Sequence, residues 1–123
     1  MTFDVLQAYI LTDGLDDWVM LGAITQAGVH FGMAESIQDA REITIDALAL
    51  LLAEGLVEVG EIHHDVGRFH AWGLSPARTV EAIRQLTAVD DPDSWYAAAW
   101  INLTERGETV ALQLEVGSPG NAH

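Results

Sequence analysis

The chain has 123 residues, with 19 Asp and Glu against five Arg, no Lys and a net charge of -14. Half of the residues are apolar, which excludes an acidic disordered tail and predicts one globular domain able to bury a core without staples. The absence of Cys excludes disulfides and thiolate metal sites, and a field of this sign repels polyanions and anionic lipid while attracting basic proteins.

The acidity is uneven. Residues 1–62 hold eleven acids and one Arg, while residues 63–123 hold eight acids and four Arg. Acidity also serves solubility. No 18-residue apolar run is free of charge, and the start MTFDVLQAYIL lacks a basic segment, so neither a membrane span nor a secretory signal is expected and the cytoplasm is the expected compartment.

In chain order, Thr2 is placed to cap a first helix carrying Phe3, Leu6 and Ile10 on one face, ended by Asp13-Gly14. Asp16 or Asp17 would cap a second helix, WVMLGAITQAG, apolar almost all round and stopped at Gly28. Ser36 opens a third helix with Ile37, Ala40, Ala47, Leu48, Leu51 and Leu52 on its apolar side, closed by Gly55. LVEVGEI (56–62) and FHAWGL (69–74) read as strands of a hairpin, with Gly67 supplying the left-handed turn position.

Ser75-Pro76 is a cap followed by Pro at the first helical position, and opens a helix ending near Thr87. Its inward side would be Ala77, Val80, Ile83 and Leu86. VDDPDS is a loop, WYAAAWIN (95–102) reads as a third strand, and GSPGNAH as a disordered tail from 117 to 123. The segment 104–116 is ambiguous. Thr104 could cap a helix facing Val110, Ala111 and Leu114 inward, but Val110, Leu112, Leu114 and Val116 also alternate as in a strand; the helix is favoured.

The stretch LLAEGLVEVG resembles the end of the recognition helix and the start of the wing in MarR-like and PadR-like regulators. INLTERGETVA resembles the strand-to-helix step of the same families. The chain is also loosely similar to small acidic actinobacterial proteins of no assigned activity. The resemblance implies an α+β winged-helix-like domain over residues 1–116: three N-terminal helices, a small antiparallel sheet with an inserted helix, and a C-terminal helix. It also implies duplex DNA binding, with the third helix in the major groove and the hairpin at 63–68 on the backbone.

The side chains point elsewhere. The third helix offers Gln38, Asp39, Arg41, Glu42, Thr44, Asp46 and Glu54, and Glu35 stands at its start. DNA binders neutralise several phosphates with Lys or Arg. Here the helix and hairpin supply Arg41 and Arg68 alone, and each carboxylate brought to a phosphate costs about 1 kcal/mol.

The expected function is therefore binding and inhibiting or regulating a basic partner protein, a toxin or a DNA-binding protein, in an immunity-like, antitoxin-like or DNA-mimic-like role. Asp16, Asp17, Glu35, Asp39, Glu42, Asp46 and Glu58 are the candidate contact acids, with Trp95 and Tyr96 as aromatic anchors. The alternative is a DNA-binding winged-helix transcriptional regulator, which would commonly be a homodimer.

No cofactor or catalytic group is expected. His63, His64, Asp65 and His70 cluster about the hairpin, but adjacent His63 and His64 point to opposite faces, so solvated hairpin residues are expected over a Zn site. DDPD (90–93) lacks the Gly and distal Glu of a calcium loop. Trp18 is expected in the core. Of Trp72, Trp95 and Trp100, two should share one face of the sheet.

Overall fold

A computed structural model of the chain describes residues 2–63, 67–86 and 95–117. The loop at 89–94, His64 and Asp65 of the hairpin, and the tail from 118 lie outside the described residues. The elements are α1 (Val5–Asp13), β1 (Val19–Met20), α2 (Leu21–His30), α3 (Ile37–Ala53), β2 (Val57–His63), β3 (Arg68–Ala71), α4 (Pro76–Leu86), β4 (Trp100–Leu103) and α5 (Glu105–Gly117). The class is α+β, with one small antiparallel sheet of order β1-β4-β2-β3. No described helix is long and apolar enough to cross a membrane.

Local chemistry sets most boundaries. α1 begins at Asp4, not at Thr2. The Asp4 carboxylate accepts from the Gln7 backbone N–H at 2.8 Å and the Gln7 side chain accepts from the Asp4 N–H at 3.0 Å, a reciprocal capping box. The expected cap of α2 by Asp16 or Asp17 is replaced by sheet pairing. Asp17 instead accepts from the Trp18 N–H, Val19 and Met20 pair with Ile101 and Trp100, and α2 starts at Leu21 without a side-chain cap. Gly28 does not stop α2, which runs on to His30. It is a small residue where α2 passes Leu6 of α1, and Gly32, at φ 74°, makes the left-handed exit.

Ser36 caps α3 by accepting from the Asp39 N–H, and Gly55 leaves it at φ 72°. Ser75 caps α4 by accepting from the Arg78 N–H. The inward side of α4 includes Val80, Ile83 and Leu86 as expected, but Thr79 takes the buried place in the first turn that Ala77, which is exposed, was expected to fill. Residues 95 and 96 are helical, so the expected strand from 95 shrinks to β4.

The C-terminal segment is helical, as favoured. The Thr104 hydroxyl accepts from the Gly107 N–H at 3.0 Å and itself donates to the Gly55 carbonyl at 2.7 Å, tying the cap of α5 to the end of α3. Gly107 lies so close to the Leu56 carbonyl that any Cβ would collide with it. Ala111 is buried and Val110 and Leu114 are half-buried, as the helical reading requires.

The core lies between the helices and one face of the sheet. It joins Leu6, Ile10 and Leu11 of α1, Leu21 and Ile24 of α2, Ile45, Leu48 and Leu51 of α3, and the inward-facing Val19, Val57, Val59, Ile101 and Leu103 of the strands. Leu48 is fully buried at its centre. Leu48→Ala is expected to lower the unfolding free energy by about 3 kcal/mol in urea denaturation. Gly107→Ala should cost at least ~1 kcal/mol, because the Leu56 carbonyl is backbone and cannot rotate away.

Candidate interaction surface

α3 is the longest helix described and is enclosed on most of its circumference. Ala40, Arg41, Thr44, Ile45, Ala47, Leu48, Leu51 and Leu52 are buried, whereas Ile37, expected on the same apolar side, is exposed in the first turn. α2 packs along one flank, where the Thr25 and Thr44 hydroxyls lie 3.2 Å apart. α4 packs along the other, where an Arg84 guanidinium N–H donates to Glu42 at 3.1 Å. What remains outward is a stripe at alternating spacings of four and three residues: Asp39, Ile43, Asp46, Leu50 and Ala53, of which Ile43 is half-buried against the core. Leu50 is 38% exposed, and Glu42 borders the stripe half-buried.

The stripe has no cation of its own, because Arg41 points the other way. Arg41 is 6% exposed, and its guanidinium carbon sits 5.2 Å from the centroid of the Trp95 ring. Its buried Nε has no hydrogen-bond partner. The arrangement is a cation–π contact in a largely enclosed place, where an Nε without a partner carries a desolvation cost. Trp95 is held in turn by its indole N–H, which donates to the Thr25 hydroxyl at 2.8 Å. The Thr44 hydroxyl donates to the Ala40 carbonyl at 2.7 Å. One buried polar chain thus links α3, α2 and the segment before β4.

No family model, curated protein or solved structure matches this chain. The surface has to be read from its own residues.

The expected contact acids fall into two groups. Glu35, Asp39, Glu42 and Asp46 lie on or just before α3, with Glu35, Asp39 and Asp46 exposed. Asp16 and Asp17 are exposed ahead of β1, and Glu58 stands half-buried on β2, accepting from the Asn102 side chain at 2.8 Å. The structure brings the first group together and leaves the second on the sheet.

Of the two aromatic anchors, Trp95 is not available at the surface. Trp95 is 3% exposed, an interior residue whose polar edge is used by Thr25, so it presents no face to a partner. Tyr96 is half-buried with its ring laid on Gly22, where any Cβ would collide with it. The tryptophans also divide differently from the expectation. Trp72 packs on the core side, Trp100 lies on the opposite face of the sheet, and Trp18 is half-buried, stacked on Phe69 with ring centroids 6.4 Å apart. Composition hid this second aromatic group. The signal that could have found it is the parity of β2, where Glu58, Gly60 and Ile62 alternate against Val57 and Val59.

At the hairpin, His63 and His70 stack with ring centroids 3.7 Å apart, and His63 Nε2 lies 3.3 Å from the Glu61 carboxylate. Cofacial rings do not converge on one point. Among the described residues no three His, Asp or Glu are placed to hold a metal ion.

Arg41→Met keeps an unbranched aliphatic side chain at this buried position and removes the charge and its unpartnered Nε. Its unfolding free energy should be unchanged or raised by ~1–2 kcal/mol; a loss beyond ~2 kcal/mol in denaturant titration would mean that the guanidinium is paired. Tyr9 offers a pH test, since burial and then the nearby Asp13 carboxylate raise its pKa above 10.0. The folded state therefore holds this proton longer than the unfolded chain. Its contribution is full below pH 10.0 and is lost as pH rises through the higher folded value, so Tyr9→Phe should flatten the alkaline fall in stability.

Proposed function

We propose that this protein is an acidic, winged-helix-like interaction module that binds a basic partner protein and inhibits or regulates it. The observation that carries the reading is the inward turn of Arg41. The one basic residue on α3 is enclosed against Trp95, and the outward stripe carries Asp39 and Asp46, bordered by Glu42. A phosphate backbone would meet carboxylates there, and the counterion-release term that drives DNA binding would have no cation to supply it. A positively charged surface would meet complementary charge, flanked by Ile43 and Leu50 for apolar contact.

The winged-helix part of the reading is supported by strand order. β4 lies between β1 and β2, beside β2, in the place a returning wing strand would take. β3 and α4 are then an addition on the far edge of β2, and α4 folds back along α3. Arg84 of that added helix meets Glu42, so the insertion trims part of the acidity of the stripe without reversing it. Two forms of the function fit this surface. One is an immunity or antitoxin protein covering the positive cleft of a nuclease-like or NAD-degrading toxin; the other is an adaptor or DNA mimic directed at a DNA-binding protein.

Fluorescence anisotropy with labelled duplex DNA at low salt tests the reading directly: no saturable rise is expected, and tight binding would return the protein to the class of DNA-reading regulators. In the same buffer an oligolysine peptide should shift the backbone amides of α3. The double variant Asp39→Asn, Asp46→Asn should weaken that peptide by about thirtyfold, on the order of 1 kcal/mol per removed charge pair at a surface.

A further inference from the structure

We propose that the face of the sheet turned away from the core is a second contact surface, one that takes arginine side chains of an extended basic segment of a partner protein. Strand register puts Met20, Trp100 and Ile62 on this face, and Phe69 pairs with Ile62 across the hairpin. Trp18 closes over it, stacked on Phe69 at an interplanar angle of 27°. None of these five side chains belongs to the core cluster or packs against it, yet all five are large and apolar. They form a separate aromatic platform, only partly buried.

The charge around the platform selects its occupant. Asp16 and Asp17, both exposed, directly precede Trp18, and Glu58 stands on the same face of β2 as Ile62. Among the described residues no Arg shares this face, since Arg68 pairs with His63 on the opposite parity. Aromatic faces edged by carboxylates bind guanidinium well, because the planar cation stacks on indole while its N–H groups reach the acids. A second copy of this chain is a poor occupant. It would bring the same acids against one another, in a molecule whose net charge is already -14. This surface is separate from the α3 stripe, and the proposal stands without the reading given for that helix.

The test uses the whole chain and a nonapeptide alternating arginine and threonine, with the lysine–threonine peptide as its counterpart. In amide and indole correlation spectra, the arginine peptide should shift the indole signals of Trp18 and Trp100 and the amides of Met20 and Phe69. The indole of Trp95, bonded to Thr25, should stay in place. The lysine peptide should bind more weakly. Trp18→Ala and Phe69→Ala should each weaken the arginine peptide by about fivefold, while the Asp39→Asn, Asp46→Asn variant should leave it unchanged. Mapping on the unaltered protein decides the matter even if a variant fails to fold. Shifts confined to α3, equal affinity for the two peptides, or unchanged binding in both aromatic variants would overturn the proposal. So would concentration-dependent self-association with the same signals moving and no peptide present, which would make the platform an interface between copies.

Discussion

The inward turn of Arg41 governs what this protein can show to another molecule. The buried Nε of Arg41 has no hydrogen-bond partner, which carries a desolvation cost, and the Trp95 ring face offsets part of it. Trp95 can lie there because its own N–H is satisfied by Thr25, whose neighbour Thr44 is one turn along from Arg41 on α3. Orientation of the helix, placement of Trp95 and polarity of the outward stripe are therefore one arrangement. Rotating α3 to expose Arg41 would strip Trp95 of its cation and bring Asp39 and Asp46 toward the interior, where an unpaired carboxylate is more costly still.

Burial around α3 leaves a narrow window, and the chain fills it with acids. α2, α4 and the sheet side claim the remaining circumference, so the outward surface of α3 is one stripe wide. Within it the apolar Ile43 and Leu50 alternate with Asp39 and Asp46. Solvation alone would be served by carboxylates anywhere on the surface. The half-exposed apolar residues between them are what distinguish a contact stripe from a merely soluble one.

The sheet divides the molecule into two apolar systems. Its inner face joins the helices through Val19, Val57, Val59, Ile101 and Leu103; its outer face holds Met20, Trp100, Ile62 and Phe69 under Trp18. Gly60 sits at the join, where the β3 backbone passes so close that a Cβ has no room. β3 forms the edge of the sheet there, beside β2.

Much of the architecture was legible in the sequence because it rests on local chemistry. Ser36, Gly55, Ser75-Pro76 and Thr104 set helix ends through hydrogen bonds and dihedral angles that span three or four residues, and those boundaries agree with the structure. The composition alone established that the surface is acidic and that cations are few. Where the sequence reading went wrong, a distant partner decided. The N–H groups ahead of α2 are met by β4 and not by an Asp cap, and the indole N–H of Trp95 is satisfied in the interior because Thr25, seventy residues away, accepts its hydrogen bond. The sequence could count one Arg on α3, but only tertiary packing decided which side of the helix it occupies, since burial of a charge depends on the ring that happens to cover it.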